Sequence, residues 1–357
     1  MSIESDTDRF EAWLRKQCKV VEPDLKHKHK KMCDDPFVFL RATYYRWARK
    51  IDDWCPEAAE APRVLSVGDV HTENFGTWRD SEGRLVWGIN DFDEAAVMPY
   101  TLDLVRLATS AALAPGRRVA VHAGCGAILD GYRRGLAEPR PTLLDEKELW
   151  MRSFVAVSDD ERKAFWKEVD DYPDVDPPRK VARGFAARLP KHAEVIRFCT
   201  RRKGGGGLGR PRYVVVAAWR GGRIVREAKA LVPSAWHWAR KHAPGESQVL
   251  ALSSGRFRSP DPWFDVDDSF IYRRVAADSH KIELGKLAGT RLDLGRLRAM
   301  GFDLGAIHAA HERRRDAILP DLKRRPRGWL EKATKDAAAA VTDDFEAWRK
   351  SYKSRKA

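Results

Sequence analysis

The chain has 357 residues, of which 43% are hydrophobic and 33% are charged, and its formal net charge is +14 at pH 7. This composition is typical of a globular protein and excludes a disordered one. The five scattered cysteines contain no Cys-x-x-Cys pair, which excludes a disulfide framework and a structural zinc site. The first residues are charged from Glu4 onward and no apolar run is long enough to cross a bilayer, so we expect a cytoplasmic protein with no membrane partner.

The positive charge attracts anions, which include both nucleic acid and nucleotides. The 66 lysines and arginines are spread along the whole chain. A nucleotide would use the same positive field as a nucleic acid, and we therefore keep nucleic-acid binding as the weakest of the alternatives considered below.

In chain order, the first predicted element is a helix over residues 34–54, which starts at Asp34 or Asp35 before Pro36. Short apolar runs then predict strands at residues 64–67 and 84–89. Clusters of acidic residues follow both strands, which we expect to lie next to each other, at the point where each strand gives way to a loop.

Helical periodicity follows over residues 102–114 and 119–136. The polar stretch 141–191 has a proline-rich centre, which we interpret as a connection between two lobes. The next part predicts an antiparallel sheet: strands at 194–200, 213–219, 224–231 and 269–275, with a glycine loop and a tight Gly-Gly turn between them. Helices return at 294–319 and 335–353.

This order predicts an α+β protein in three parts. Residues 1–190 form the first part of a helical lobe, residues 191–285 a small β-rich lobe, and residues 286–357 helices that return to the first lobe.

Two acidic motifs, GDVHTEN at 68–74 and NDFDEA at 90–95, carry the strongest functional signal. Carboxylates gathered in short stretches repel one another unless a cation lies between them. That cation is a metal ion, a metal–nucleotide complex or a neighbouring arginine, and each alternative implies a different function.

The first alternative is phosphoryl transfer, in which positioning and charge neutralisation provide most of the catalysis. Asp69 and Asn74 have the five-residue separation of the catalytic Asp and metal-binding Asn in protein kinases. Asp91 then supplies a metal-binding carboxylate, and Mg²⁺ needs only two or three protein ligands because it keeps several waters.

The second alternative is a metallophosphatase, because Asp69 and His71 form an Asp-x-His pair. Such an enzyme needs further histidine ligands, and His280, His308 and His311 lie in unlike contexts. The third alternative is structural: Asp69 caps a turn, His71 packs in the core, and the second motif pairs with arginines.

The glycine loop favours phosphoryl transfer. Gly204, Gly206 and Gly209 fit the pattern G-x-G-x-x-G between two predicted strands, and Lys229 follows on the third strand. No helix start follows the glycines, so this arrangement indicates a loop over phosphates as in the small lobe of kinases rather than a dinucleotide site. Pro211 departs from the kinase pattern, which has valine at that position.

These motifs resemble those of the bacterial domain-of-unknown-function family 2252, which is grouped with protein-kinase-like and aminoglycoside-phosphotransferase-like folds. The resemblance covers roughly residues 34–311 and includes GDVHTENFG, INDFDEA, MPYTLDLVRLATS, REAKAL and MGFDLGAIHAAH. It implies a two-lobed kinase-like fold with its parts in circularly permuted order, because the catalytic loop precedes the glycine loop.

The resemblance also implies roles for individual residues. Asp69 corresponds to the catalytic base, Asn74 and Asp91 to magnesium ligands, and Asp93 to a second carboxylate ligand. His71 and Asp103 correspond to residues that support the catalytic loop.

We therefore predict an ATP- and Mg²⁺-dependent phosphotransferase in which Gly204, Gly206, Gly209 and Lys229 bind the nucleotide. The alternatives are a non-catalytic ATP-binding protein and an enzyme that transfers AMP, followed by a metallophosphatase and a nucleic-acid-binding protein. Glu227 and Glu246 are the candidate partners of Lys229. In this interpretation the acceptor is a small molecule. The sequence specifies neither its identity nor the oligomeric state of the protein.

Overall fold

The structure is a computed structural model that describes residues 1–202, 204–243, 245–279, 290–310 and 312–354. It is a mixed α+β protein whose sheets are antiparallel. Within the described residues the helices are α1 (Ile3–Gln17), α2 (Glu22–Lys31), α3 (Pro36–Ala42), α4 (Tyr44–Trp54), α5 (Pro56–Ala59), α6 (Tyr100–Leu113), α7 (Val121–Ala137), α8 (Arg152–Val155), α9 (Asp159–Asp170), α10 (Arg179–Arg188), α11 (Ala235–Arg240), α12 (Val249–Ser253), α13 (Thr290–Ala309), α14 (Glu312–Arg324) and α15 (Trp329–Ser354).

The strands of the described residues form three sheets. They are β1 (Arg63–Ser66), β2 (Phe75–Arg79), β3 (Leu85–Ile89), β4 (Ala96–Pro99), β5 (Thr142–Leu143), β6 (Glu194–Cys199), β7 (Arg212–Trp219), β8 (Gly222–Ala230), β9 (Asp265–Val266) and β10 (Phe270–Val275). Strands β1 and β4 pair with each other, β2, β3 and β5 form a second sheet, and the third sheet has the order β6-β7-β8-β10-β9.

The predicted helix over residues 34–54 is two helices, α3 and α4. It starts as predicted, because the Asp35 side chain accepts a hydrogen bond of 2.9 Å from the backbone N–H of Val38. Thr43 interrupts it with a non-helical backbone (φ −121°, ψ 37°), and its hydroxyl donates instead to the carbonyl of Phe39 at 2.7 Å.

The prediction that both acidic motifs follow adjacent strands is wrong. The strand before the first motif, β1, pairs with β4, whereas the strand before the second motif, β3, pairs with β2 and β5. The residues after the second motif turn back as β4, which takes the place beside β1 that β3 was expected to fill. The two motifs still meet, because the backbone N–H of Asn90 donates to the carbonyl of Asn74 at 3.0 Å.

The predicted strands of the five-stranded sheet are confirmed. Strands β7 and β8 form a hairpin in register Trp219↔Gly222, with Arg220 and Gly221 as its turn. Both turn residues have positive φ, 48° and 80°, which is the geometry that matches the twist of two-residue hairpins.

Helices cover both faces of this sheet. Val169 at the end of α9 and Tyr172 just after this helix pack on Val214, Val225 and neighbouring side chains of one face. On the opposite face α10 packs through Val181 and Phe185 on a cluster that contains Val215, Ala228 and Tyr272. The stretch 141–191 therefore contains β5 and the helices α8 to α10, and its proline-rich centre, interpreted as a connection, is a loop between α9 and α10. The predicted division into three parts remains a prediction.

Among the described residues the most extensive helix–helix contact joins α7 and α13. A Cβ atom at Gly131 would lie 1.8 Å from the carbonyl oxygen of Arg298, and one at Gly135 would lie 2.1 Å from the carbonyl oxygen of Phe302. The two backbones are therefore in direct contact, which only glycine allows at these positions.

His308 of α13 lies in the core behind the first acidic motif. It is fully buried, its Nδ1 lies 2.8 Å from the Tyr132 hydroxyl, and its Nε2 lies 3.2 Å from Asp103. His280 and His311 lie outside the described residues. Of the helices that the structure describes, none has the length and apolar character needed to cross a membrane.

Candidate functional site

A cavity of about 730 Å³ lies between the five-stranded sheet, the glycine loop and the loops that follow β1 and β3. Eight of the ten predicted site residues line it: Asp69, His71, Asn74, Asp91, Asp93, Gly204, Gly206 and Lys229. The other two, Asp103 and Gly209, are placed elsewhere. The cavity thus brings together residues of both acidic motifs and of the sheet.

Asp103 lies beneath the loop that follows β1. Its carboxylate accepts hydrogen bonds from the backbone N–H groups of Val67 (2.8 Å) and Gly68 (2.9 Å). Gly68 has φ +85°, and a Cβ atom there would lie 2.4 Å from the carbonyl oxygen of Glu94. The loop therefore needs glycine at this position, and Asp103 fixes the backbone that leads into Asp69.

Asp69 is held by Arg106 of α6. The guanidinium of Arg106, which is completely buried, donates to Asp69 Oδ1 from Nε at 2.8 Å and from Nη2 at 2.5 Å. The other oxygen, Oδ2, faces the glycine loop, since a Cβ atom at Gly206 would lie 3.5 Å from it. Burial raises the pKa of Asp69 to about 6, although Arg106 opposes the shift. Asp69 is therefore ionised at neutral pH and able to accept a proton.

Asn74 and His71 shape the same loop. The Asn74 amide donates from Nδ2 to the carbonyl oxygen of Asp69 at 2.5 Å, which leaves its Oδ1 as an acceptor or metal ligand. His71 is buried, and its Nδ1 accepts a hydrogen bond of 3.2 Å from the backbone N–H of Glu73. Glu73 in turn pairs with Arg41 at 2.8 Å.

The second motif pairs with cations from the sheet and the glycine loop. Asp93 forms ion pairs with Lys229 and, at 3.1 Å, with Arg210. Glu94 pairs with Arg210 at 2.8 Å. Asp91 lies 3.8 Å from Lys229 and its side chain is 39% exposed, so it is the most accessible carboxylate of the motif. Neither predicted partner of Lys229 is correct, because Asp93 and Asp91 take the place of Glu227 and Glu246.

Glu227 instead neutralises three arginines. Arg201 (2.5 Å), Arg212 (2.8 Å) and Arg273 (2.7 Å) all contact its fully buried carboxylate. Burial by itself raises the pKa of Glu227, but the three guanidiniums outweigh it and hold the pKa well below its usual range. With Lys229 these arginines form a surface with excess positive charge, named the basic wall: Arg201, Arg212, Lys229 and Arg273.

The glycine loop lies directly over Asp69 and Lys229. A Cβ atom at Gly206 would lie 2.9 Å from the carbonyl oxygen of Arg41, and one at Gly207 would lie 3.0 Å from Cε of Lys229. Side chains at these positions would push the loop away from the cavity, so the glycines allow its backbone to approach closely.

Gly209 has a different role from the predicted one. It has φ +92°, a Cβ atom there would lie 2.4 Å from Leu25, and its carbonyl accepts a hydrogen bond of 2.9 Å from the backbone N–H of Val21. It therefore docks the loop on α2 rather than covering the cavity. Arg202 strengthens this attachment through an ion pair with Asp24 at 2.6 Å.

The sequence analysis missed most of the basic residues at the site, and three of them differ in the signal that the sequence carries. Arg106 had a detectable signal, since it lies three residues after Asp103 and therefore on the same face of one helix. Arg210 belongs to the basic flank of the glycine loop, and nothing in that flank indicates which carboxylates it pairs with. Lys28 lies in the run KHKHKK, which is typical of a solvated helix, yet its side chain is buried beside the cavity.

The molecule is therefore a mixed α+β protein with a strongly polar cavity that joins two acidic loops to a basic sheet. Residues 20–146 match the model of a family described as "Uncharacterized protein conserved in bacteria (DUF2252)". The matched region contains both acidic motifs and Asp103, and it ends before the glycine loop and Lys229. No curated protein matches the chain, and neither does any solved structure.

Proposed function

We propose that the protein is an ATP- and Mg²⁺-dependent phosphotransferase with a permuted, two-lobed, kinase-like arrangement. One observation supports this above all. The glycine loop and Lys229 are more than 100 residues from the acidic motifs in sequence, yet all of them line one cavity. This combination of parts is what phosphoryl transfer requires.

The basic wall and the glycine loop suit a polyphosphate. Three arginines share one carboxylate, which leaves excess positive charge facing the cavity. The close approach of Gly206 and Gly207 brings backbone groups to the same place. Phe165, Tyr172 and Val275 also line the cavity and offer less polar surface for a base.

The donor set fits magnesium, which prefers oxygen ligands and keeps several waters. Asn74, through Oδ1, and Asp91, through its exposed carboxylate, would hold the ion, whereas Asp93 is already paired with Lys229 and Arg210. Among the described residues no group of three or more His, Cys, Asp and Glu side chains is arranged to hold a metal ion. This favours a metal bound partly by phosphates over a two-metal phosphatase.

Asp69 acts as the general base in this proposal. Arg106 fixes Oδ1, so Oδ2 orients the acceptor hydroxyl and takes its proton. The acceptor oxygen forms a bond to the γ-phosphorus, and the bond from that phosphorus to the bridging oxygen of ADP breaks. Lys229 and the three arginines of the basic wall neutralise the charge on the phosphates. When bound, Mg²⁺ would neutralise a further part of the phosphate charge.

Calorimetric titration with ADP and Mg²⁺ tests the proposal. The wild type should bind, and Asp91→Asn should lose the magnesium-dependent part of the affinity, about tenfold or more. Asp69→Asn should keep the affinity but lose about 10²–10⁴-fold in turnover of ATP. Asp160→Asn is the control, because that side chain is 93% exposed on α9 and lies outside the cavity.

A wild type that fails to bind ADP, or an Asp91→Asn protein that binds as well as the control, would contradict the proposal. Thermal unfolding of Asp69→Asn shows whether the loss of the Arg106 partner has unfolded the site. Binding without turnover would favour a non-catalytic protein. An acceptor that gains the mass of AMP instead of phosphate would favour AMP transfer.

A further inference from the structure

The N-terminal helices line a part of the cavity that the proposed nucleotide site does not use. Its residues are named the N-terminal compartment: Phe10 of α1, Lys28 of α2, Arg41 of α3, and Tyr44 and Tyr45 of α4. Asp69 lines the same cavity, and the carbonyl of Arg41 lies under the glycine loop. The compartment is therefore continuous with the position of the proposed general base.

Lys28 is the unusual member of the compartment. Its side chain is only 2% exposed, and its ammonium nitrogen lies 5.9 Å from the ring centre of Phe10 and 5.3 Å from that of Tyr45. In the part of the chain that the structure describes, no carboxylate forms an ion pair with it. Glu11 influences its charge, but that carboxylate already pairs with His29 at 2.6 Å.

A buried ammonium is costly unless other groups replace its lost hydration. The two aromatic rings replace a part of it through cation–π attraction, worth about 0.5–2 kcal/mol. Burial lowers the pKa of Lys28 to about 8 and the positive charge of Arg210 adds to this shift, while the negative charges of Glu11, Glu94 and Asp69 oppose it. Lys28 is thus largely charged at neutral pH, and an anion would complete its interactions.

The helix that carries Lys28 also favours anions. Lys26 and Lys30 of α2 are exposed, and together they raise the local concentration of negatively charged solutes. The rings of Phe10 and Tyr45 are stacked with centres 4.4 Å apart and are buried, so they exclude water from the ammonium. An anionic group that reaches Lys28 therefore interacts with it at low local polarity.

We infer that the N-terminal compartment binds the acceptor, and that the acceptor is a small molecule with a hydroxyl group and a carboxylate or phosphate group. Lys28 takes the anionic group, while the hydroxyl lies toward Asp69. This inference rests on the proposed phosphotransferase function, but the binding of the anion itself needs neither nucleotide nor metal.

Three matched probes test the inference: glycerol, glycerate and glycerol 3-phosphate. Each is titrated calorimetrically into the full chain without nucleotide or Mg²⁺. One or both anionic probes should bind about tenfold or more tightly than glycerol. Lys28→Met should weaken the binding of the anionic probe about tenfold, whereas Lys28→Arg should keep it within about threefold. The anionic probe that binds more tightly shows whether the acceptor carries a carboxylate or a phosphate group.

Lys26→Met is the matched control, because it removes an exposed lysine from the same helix. Equal binding of all three probes, or unchanged anion binding by Lys28→Met, would overturn the inference. ADP–Mg²⁺ binding is measured on the same proteins, and a parallel loss in Lys28→Met would assign Lys28 to the nucleotide and also overturn it. Circular dichroism verifies folding, with Lys28→Gln as a second variant if the first does not fold.

The two proposals fail in different ways. If the protein is not a phosphotransferase, the wild type lacks ADP–Mg²⁺ binding or turnover while the anionic probes still bind through Lys28. If only the acceptor inference is wrong, the nucleotide binds and the probes do not distinguish Lys28→Met from Lys26→Met.

Discussion

The basic wall and the N-terminal compartment both bury cations at the same cavity, but they stabilise them in opposite ways. In the basic wall three guanidiniums surround the carboxylate of Glu227. In the compartment the ammonium of Lys28 lies over two aromatic rings and has no such partner among the described residues. In the first arrangement a buried carboxylate holds the three guanidiniums together, whereas in the second no carboxylate of the described residues forms an ion pair with the ammonium. Removing a charge should therefore destabilise the first and stabilise the second.

The largest effect is expected for Glu227→Gln. The change removes the anion from three arginines that are held at its carboxylate, and breaking a buried network of this kind typically costs about 3–5 kcal/mol. The free energy of unfolding, measured by urea titration, should fall by this amount. Glu246→Gln is the matched control: Glu246 is exposed, and its substitution should change stability by no more than about 0.5 kcal/mol. If both variants have wild-type stability, Glu227 does not organise the basic wall.

Lys28→Met is expected to raise the free energy of unfolding, whereas Glu227→Gln is expected to lower it. The folded protein holds the pKa of Lys28 at about 8, whereas the unfolded chain has a lysine pKa of about 10.4. Below pH 8 both states carry the proton, so the folded state bears the full penalty of the buried charge. At pH 7 the free energy of unfolding of the variant should therefore exceed that of the wild type by about 3 kcal/mol.

The pH dependence of the free energy of unfolding, measured for the wild type and for Lys28→Met, sharpens the comparison. Between about pH 8 and pH 10.4 the unfolded wild type binds one more proton at this lysine than the folded protein, so wild-type stability rises with pH relative to the variant. The advantage of Lys28→Met should then disappear above about pH 10. Urea titrations of the two proteins at pH 7, 8, 9 and 10 measure this difference, and a constant difference across the range would show that Lys28 is not buried as a charge.

The smallest effect is expected in the glycine loop between the two regions. An alanine at Gly206 would place Cβ 2.9 Å from the Arg41 carbonyl and so displace the loop, and ADP should bind about tenfold more weakly. An alanine at Gly205 would meet its nearest atom only at 4.0 Å and should bind ADP within about twofold of the wild type. Calorimetry on the two variants provides the comparison. Equal affinities would mean that the backbone at Gly206 does not touch the nucleotide.

Much of the fold could be predicted because the signals are local. The strands of the five-stranded sheet and the start of α3 follow from alternating apolar residues, a glycine turn and an Asp-Pro helix start. The proximity of the acidic motifs to the glycine loop was predicted from spacing, since Asp69 and Asn74 keep the kinase separation. These features depend on a few neighbouring residues, which sequence patterns describe well.

The features that could not be predicted depend on long-range contacts. The pairing of β1 with β4 joins two runs of four residues, which carry too little pattern to reveal their partners. Lys28 lies on a helix whose sequence is basic throughout, and only the position of α1 and α4 buries it. The Asp93 partner of Lys229 comes from a different lobe of the predicted arrangement, whereas sequence reasoning looked for a glutamate near the lysine.

The glycine contact between α7 and α13 also has a consequence for biosynthesis. About 150 residues separate the two helices, and the whole five-stranded sheet lies within that interval. A ribosome that adds about 5–20 residues per second needs roughly 10–30 s to pass from one helix to the other. During that time the face of α7 that contains Gly131 and Gly135 is made but has no helix packed on it. The nascent chain therefore passes through a stage in which a chaperone that covers apolar helix surfaces would prevent this face from associating with other chains.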